Sequence, residues 1–167
     1  ARPLPGFDCG NSPTDVLAQP LAGRTIIHTT HAGTQGLVAA ARSAQCVFTG
    51  AFVNAAATVA AIRALHPPVV TLVAMGHEAR EPCVEDECCA AWLATRLGEG
   101  AQSGSPDEAD LPARLRAAPA AAKFFDPAAD WAPEGDFALC TAIDQVPFAV
   151  ALGRSDEGWL ELRRWSA

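Results

Sequence analysis

From Thr25 onward the chain alternates short β-branched apolar runs with longer stretches whose apolar residues recur at helical spacing. Thr25-Ile26-Ile27-His28-Thr29-Thr30 reads as a strand, and His31-Ala32-Gly33 as the turn after it. Thr34 to Ala44 carries Leu37, Val38, Ala40, Ala41 and Ala44 at helix-face positions. Cys46-Val47-Phe48-Thr49 is a second short strand, closed by Gly50. Asn54 to Leu65 is alanine-rich and helical, and it stops before Pro67-Pro68. Val69 to Met75 is apolar on both faces except at Thr71, the pattern of a strand inside a covered sheet. Val84 to Leu97 is a third helix, ended by Gly98. This β-α-β-α-β-α order with short connections predicts an α/β fold: a mainly parallel sheet with right-handed crossovers and helices on both faces.

The flanks differ. Residues 1–24 form an opening loop punctuated by Pro3, Pro5, Gly6, Gly10, Pro13, Pro20 and Gly23, ahead of an α/β domain over residues 25–167. Gly98 to Pro106 reads as a flexible connection. Ala109–Ala118 and Ala120–Phe125 read as helices broken at Pro119, and Phe137–Ile143 as either strand or helix. Phe148–Leu152 and Trp159–Arg163, joined by Ser155-Asp156-Glu157-Gly158, predict a β-hairpin at a sheet edge.

Composition narrows the function. In 167 residues half are apolar and 19% are charged, a balance that builds a core and argues against disorder. The net charge of -7 disfavours binding to nucleic-acid backbones. No apolar run approaches the ~20 residues of a membrane span, and no apolar signal segment opens the sequence. A cytoplasmic protein is expected, with a local cationic pocket for a small anion and a homo-oligomer both left open. Cys9, Cys46, Cys83, Cys88, Cys89 and Cys140 lack paired zinc-type spacings and are expected as reduced thiols.

Ligands of open α/β sheets bind beyond strand ends, near helix N-termini. After the first strand, Gly33 allows close backbone approach while Thr30 and Thr34 offer hydroxyls; helix capping is the plain alternative. After the second strand, Asn54 either caps a helix or reaches the same cleft. After the third, Glu85 and Asp86 stand in the first turn of a helix, compensating its dipole or holding Mg²⁺ as hard oxygen ligands. In the opening loop, Asn11 and Ser12 belong to a turn that either binds ligand or bonds its own backbone. His31 and His77 are the histidines at strand ends, Arg80 is a local cation, and Cys83 is a weaker nucleophile candidate at a helix start.

Taken in order, Gly6-Phe7-Asp8-Cys9-Gly10-Asn11-Ser12-Pro13, Thr30-His31-Ala32-Gly33-Thr34-Gln35-Gly36, Gly50-Ala51-Phe52-Val53-Asn54-Ala55 and Glu85-Asp86-Glu87-Cys88-Cys89-Ala90 resemble the 2-phosphosulfolactate phosphatase family of coenzyme M biosynthesis. The resemblance implies a Mg²⁺-dependent hydrolase converting 2-phospho-3-sulfolactate to sulfolactate and phosphate. It implies Asn11, Ser12, Thr30, Gly33, Thr34 and Asn54 as substrate-binding, and Glu85 and Asp86 as catalytic and metal-binding. His31 and Ala32 depart from the Thr-Asn form of other members. The resemblance also implies a further N-terminal portion with an Asp-Val-Leu-Arg-Ala-like segment supplying an acid and an arginine. With Ala1 just ahead of the Gly-Asn-Ser-Pro loop, the chain is expected to be part of such an enzyme. A non-catalytic anion-binding domain derived from one is the alternative.

Overall fold

The structure, a computed structural model, describes residues 3–98 and 109–166. The expected connection over 99–106 lies outside the described residues. Helices α1 (Pro13–Leu17), α2 (Gly33–Ala40), α3 (Ala55–Ala64), α4 (Val84–Leu97), α5 (Leu111–Arg116) and α6 (Glu134–Thr141) surround strands β1 (Phe48–Thr49), β2 (Val150–Arg154) and β3 (Leu160–Arg164). Pro119–Phe125 winds as a 3₁₀ segment, since Pro119 interrupts the amide pattern after α5.

Helix α4 follows the sequence rules at both ends. Glu85, Asp86 and Glu87 fill its first turn, Arg96 its last, and Gly98 closes it in the left-handed conformation. Its inner face joins α3 and α5 in a core of Phe52, Ala55, Val59, Cys88, Trp92, Leu93, Leu111 and Leu115. The Phe52 and Trp92 rings meet edge to face at 6.3 Å.

One carboxylate ties these helices together. Asp144 Oδ1 accepts the Ala56 N–H of α3 at 2.6 Å, while Oδ2 accepts from Arg96 of α4 at 2.9 Å. Arg96 also stacks 4.4 Å over the Trp92 ring. Asn54 makes no capping bond to α3. Its Oδ1 accepts the Ala51 N–H and its Nδ2 donates to the Phe148 carbonyl, so this buried amide joins two loops.

Helices α1 and α6 pack through a buried polar contact. Ser12 Oγ and the Thr14 N–H both donate to Asp136 Oδ1, at 2.8 and 2.9 Å. Ser12 Oγ also accepts from the Asp15 N–H, capping α1. A Cβ at Gly135 would lie 2.9 Å from Thr14 Oγ1, which explains the glycine at this crossing.

The sheet among the described residues has three strands in the order β1-β2-β3, all antiparallel. Leu152 faces Leu162 across the hairpin, and the Phe48 and Trp165 rings meet at 5.2 Å. The expected parallel β-α-β-α-β-α sheet is therefore not what forms. Thr25–Thr30 and Val69–Met75 run without joining a ladder. Their composition favours strand locally, but a ladder also needs a neighbouring strand, and what flanks Val69–Met75 here is α3 and α4. Phe137–Ile143, open between helix and strand, is largely the helix α6.

Candidate active site

The site grows from a tight hairpin after Met75. The His77 N–H donates to the Glu81 carbonyl at 2.7 Å, and the Glu81 N–H to the His77 carbonyl at 3.2 Å. Gly76 enters this turn at φ +68°, where an added Cβ would sit 2.1 Å from the Glu81 carbonyl oxygen, so only glycine fits. Glu78 and Ala79 also take left-handed backbone, at φ 53° and 57°. Strain at two non-glycine residues in a row persists only where surroundings enforce it. Asp86 supplies one such constraint: its Oδ2 accepts the Gly76 N–H at 2.6 Å.

The hairpin presents Glu78, Ala79 and Arg80 to a cavity of about 350 Å³ whose other wall is His31 and Gln35. Those two residues belong to the start of α2. There Thr30 and Thr34 clasp each other: the Thr34 hydroxyl donates to the Thr30 carbonyl at 2.9 Å and accepts the Thr30 N–H, while the Thr34 N–H donates to Thr30 Oγ1. Met75 joins the two walls. A Cβ at Gly36 would lie 2.5 Å from Met75 Sδ, so α2 rests directly on the chain leading into the hairpin.

One sequence motif, Thr30–Gly36, thus meets the His77–Glu81 hairpin at the cavity, while Asp86 supports that hairpin through Gly76 and neither Glu85 nor Asp86 lines the cavity. The others stand apart. Ser12 is buried with its hydroxyl on Asp136, Asn11 is exposed beside it, and Asn54 is buried against Ala51 and Phe148. No hydrogen bond among the described residues links these three to the cavity walls. Gln35 belongs to the Thr30–Gly36 motif without being singled out within it, and Glu78 carries no motif signal of its own. The legible clues were indirect: Gln35 lies one helical turn after His31, and Glu78 follows a glycine at the end of an apolar run.

Glu85 and Asp86 are half-buried oxygen donors on the first turn of α4. Among the described residues, no group of three His, Cys, Asp or Glu is placed to enclose a metal ion. The pair suits a hard cation that keeps most of its waters, as Mg²⁺ does, with one Asp86 oxygen already on Gly76.

Cys83 precedes α4, where a helix start would lower a thiol pKa. Burial raises it instead, and the Glu85 and Asp86 carboxylates push the same way. Burial likewise lifts Cys89, to about 11. Both thiols stay protonated at neutral pH. Iodoacetamide at pH 7 is therefore expected to label exposed Cys46 well ahead of Cys83, with Cys83 labelling rising only in alkaline solution; mass spectrometry of the digested peptides reads the order.

A family model described as 2-phosphosulpholactate phosphatase matches residues 1–150. A Thermus thermophilus protein named probable 2-phosphosulfolactate phosphatase is 37% identical over 94 residues, 56% of this chain and 39% of that protein. Proteins of the same printed name from Nostoc sp. and Deinococcus radiodurans are 36% and 38% identical, over 58% and 46% of this chain and 39% and 32% of their own lengths. The matched part of this chain spans about two fifths or less of these curated relatives. No solved structure matches the chain.

Proposed function

Since the chain belongs to the 2-phosphosulpholactate phosphatase family, we propose that it hydrolyses the phosphate monoester of a small 2-phospho-hydroxyacid such as 2-phospho-3-sulfolactate. Water attacks phosphorus, the bond from phosphorus to the ester oxygen breaks, and sulfolactate and phosphate leave. The observation that carries this reading is the convergence of the Thr30–Gly36 turn and the His77–Glu81 hairpin on one cavity bearing Arg80 and His31.

In this reading Arg80 is the principal anion holder, because its planar guanidinium can grip two oxygens of phosphate or sulfonate at once. His31 and Gln35 add donors from the opposite wall. Glu78 offers an acceptor for a water or a protonated oxygen. Gly33 and the Thr30–Thr34 clasp fix the first turn of α2, whose amides favour anions. Ser12 and Asn54 act through the loops they hold, and Asn11 flanks the first of these. Glu85 and Asp86 would hold Mg²⁺, which supplies charge neutralisation and orientation when bound. Asp86 has a second task, holding the Gly76 amide and so the hairpin that carries Arg80.

Arg80→Gln is expected to raise KM for 2-phosphosulfolactate about 10-fold or more, with the circular dichroism spectrum unchanged. Unchanged KM would remove Arg80 from substrate binding. The alternative reading is an anion-binding domain without turnover. Calorimetry with sulfolactate and a phosphate-release assay with 2-phosphosulfolactate in Mg²⁺ separate the two: heat of binding to the first without phosphate release from the second supports the binding domain.

A further inference from the structure

Strand β3 comes last in the order β1-β2-β3, and among the described residues it pairs with β2 alone. The hairpin bonds show which of its backbone groups turn outward. The Ser155 N–H donates to the Trp159 carbonyl and the Trp165 N–H to the Ala149 carbonyl, so the odd-numbered residues from 159 to 165 bond toward β2. Leu152, opposite Leu162, sends its own N–H the other way, to the Val47 carbonyl. The amides and carbonyls of Leu160, Leu162 and Arg164 therefore face away from the sheet. The pairing with β2 runs without a bulge, and the strand holds no proline.

Charged side chains usually guard such an edge, because they repel an incoming strand. Here their order admits one particular strand. Alternation places Trp159, Glu161, Arg163 and Trp165 on one face, and the Glu161–Arg163 ion pair within the chain shows that these two share it. A second β3 laid antiparallel about Leu162 sets Glu161 against Arg163, Arg163 against Glu161, and Trp159 against Trp165. Sliding it by two residues sets Glu161 against its own copy, or Arg163 against its own copy. Sliding by one residue puts outward-facing amides against inward-facing ones. Opposite charges and aromatic rings facing each other across strands stabilise the pair, whereas like charges directly opposite destabilise it. Trp159 is 70% exposed and Leu162 44%, so both side chains have surface to bury.

We propose that this chain forms a two-fold dimer by antiparallel pairing of β3 with β3 of a second copy, Leu162 lying on the axis. Main-chain bonds at Leu160, Leu162 and Arg164 supply the affinity. The Glu161–Arg163 and Trp159–Trp165 contacts select the register. None of these residues lines the cavity around Arg80, and the proposal does not depend on the phosphatase reading.

Sedimentation of the whole chain tests it, and a dimer that dissociates on dilution is expected. Arg163→Glu and Glu161→Arg each make both charge pairs across the axis repulsive. Each variant alone is expected to associate ~10-fold or more weakly. Mixing the two variants is expected to restore association, because each then faces the opposite charge. The Glu161 and Arg163 side chains are 36% and 61% exposed, so both variants are expected to melt close to the unaltered chain. Hydrogen exchange of the unaltered chain gives a second readout: the amides of Leu160, Leu162 and Arg164 are expected to slow ~10-fold between dilute and concentrated samples. Four results would overturn the proposal. These are a monomer persisting at about 100 µM, a dimer indifferent to both variants, a mixture of folded variants that fails to associate, and protection of those three amides that is the same at every dilution.

Discussion

Asp86→Asn is expected to lower Mg²⁺-stimulated phosphate release from 2-phosphosulfolactate by ~100-fold or more while leaving the hairpin in place. The two effects separate because Asp86 has two jobs in the proposed site. Asparagine keeps a side-chain oxygen that can accept the Gly76 N–H now bonded at 2.6 Å. It removes the negative charge that a cation needs. Asp86→Ala removes both, and should additionally release the strained turn at Glu78 and Ala79. The alanine variant is thus expected to lose ground-state anion binding as well as turnover, read as a weaker enthalpy for sulfolactate by calorimetry. Undiminished phosphate release by Asp86→Asn would take Asp86 out of the chemistry. Equal binding by the alanine variant would take it out of hairpin support.

The helices were legible because their signals are local. Val84–Leu97 carries acids in its first turn, an arginine in its last and a glycine stop, and the structure ends it on those residues. The turn Ser155–Gly158 between two apolar runs likewise announced the pairing of β2 with β3. Thr25–Thr30 and Val69–Met75 read equally well as strands, yet a ladder is a property of two segments and the second is not beside them. The candidate site divided in the same way. Thr30, Thr34 and Asp86 declared themselves by type and position after apolar runs. Arg80 came into view as a local cation, but its place opposite His31 and Gln35 depends on the left-handed turn at Glu78 and Ala79, which neither residue advertises. Ser12 looked like a ligand group because serine before proline in a glycine-flanked turn is chemically ambiguous. The structure commits its hydroxyl to Asp136, a partner 124 positions away that no local pattern reveals.

That contact carries the largest expected effect on stability. Asp136→Ala would leave the Ser12 hydroxyl and the Thr14 amide without their shared acceptor in a buried setting. Each orphaned donor costs about 1–3 kcal/mol when buried, and since the Thr14 amide is only partly buried a combined loss of about 2–4 kcal/mol is expected. For a chain of this size that lowers Tm by roughly 5–15 °C, measurable by thermal melting. Asp136→Asn, which retains one acceptor oxygen, should fall less. Ser12→Ala removes one donor and the cap of α1 and should cost about 1–2 kcal/mol. A melting curve for Asp136→Ala within a degree or two of the unaltered chain would show that the opening loop is not anchored there.

The distance of 124 positions along the chain between Ser12 and Asp136 also sets a schedule. Closing a loop of that span carries an entropic penalty of about 4 kcal/mol, so the contact is expected to form late, after the helices around Trp92 have brought its ends near. During synthesis at roughly 5–20 residues per second, Ser12 is polymerised some 6–25 seconds before Asp136. For that interval the opening loop travels undocked. Ribosome-bound chains stopped before residue 136 should accordingly be cut by protease within the first twenty residues, and released chains should resist.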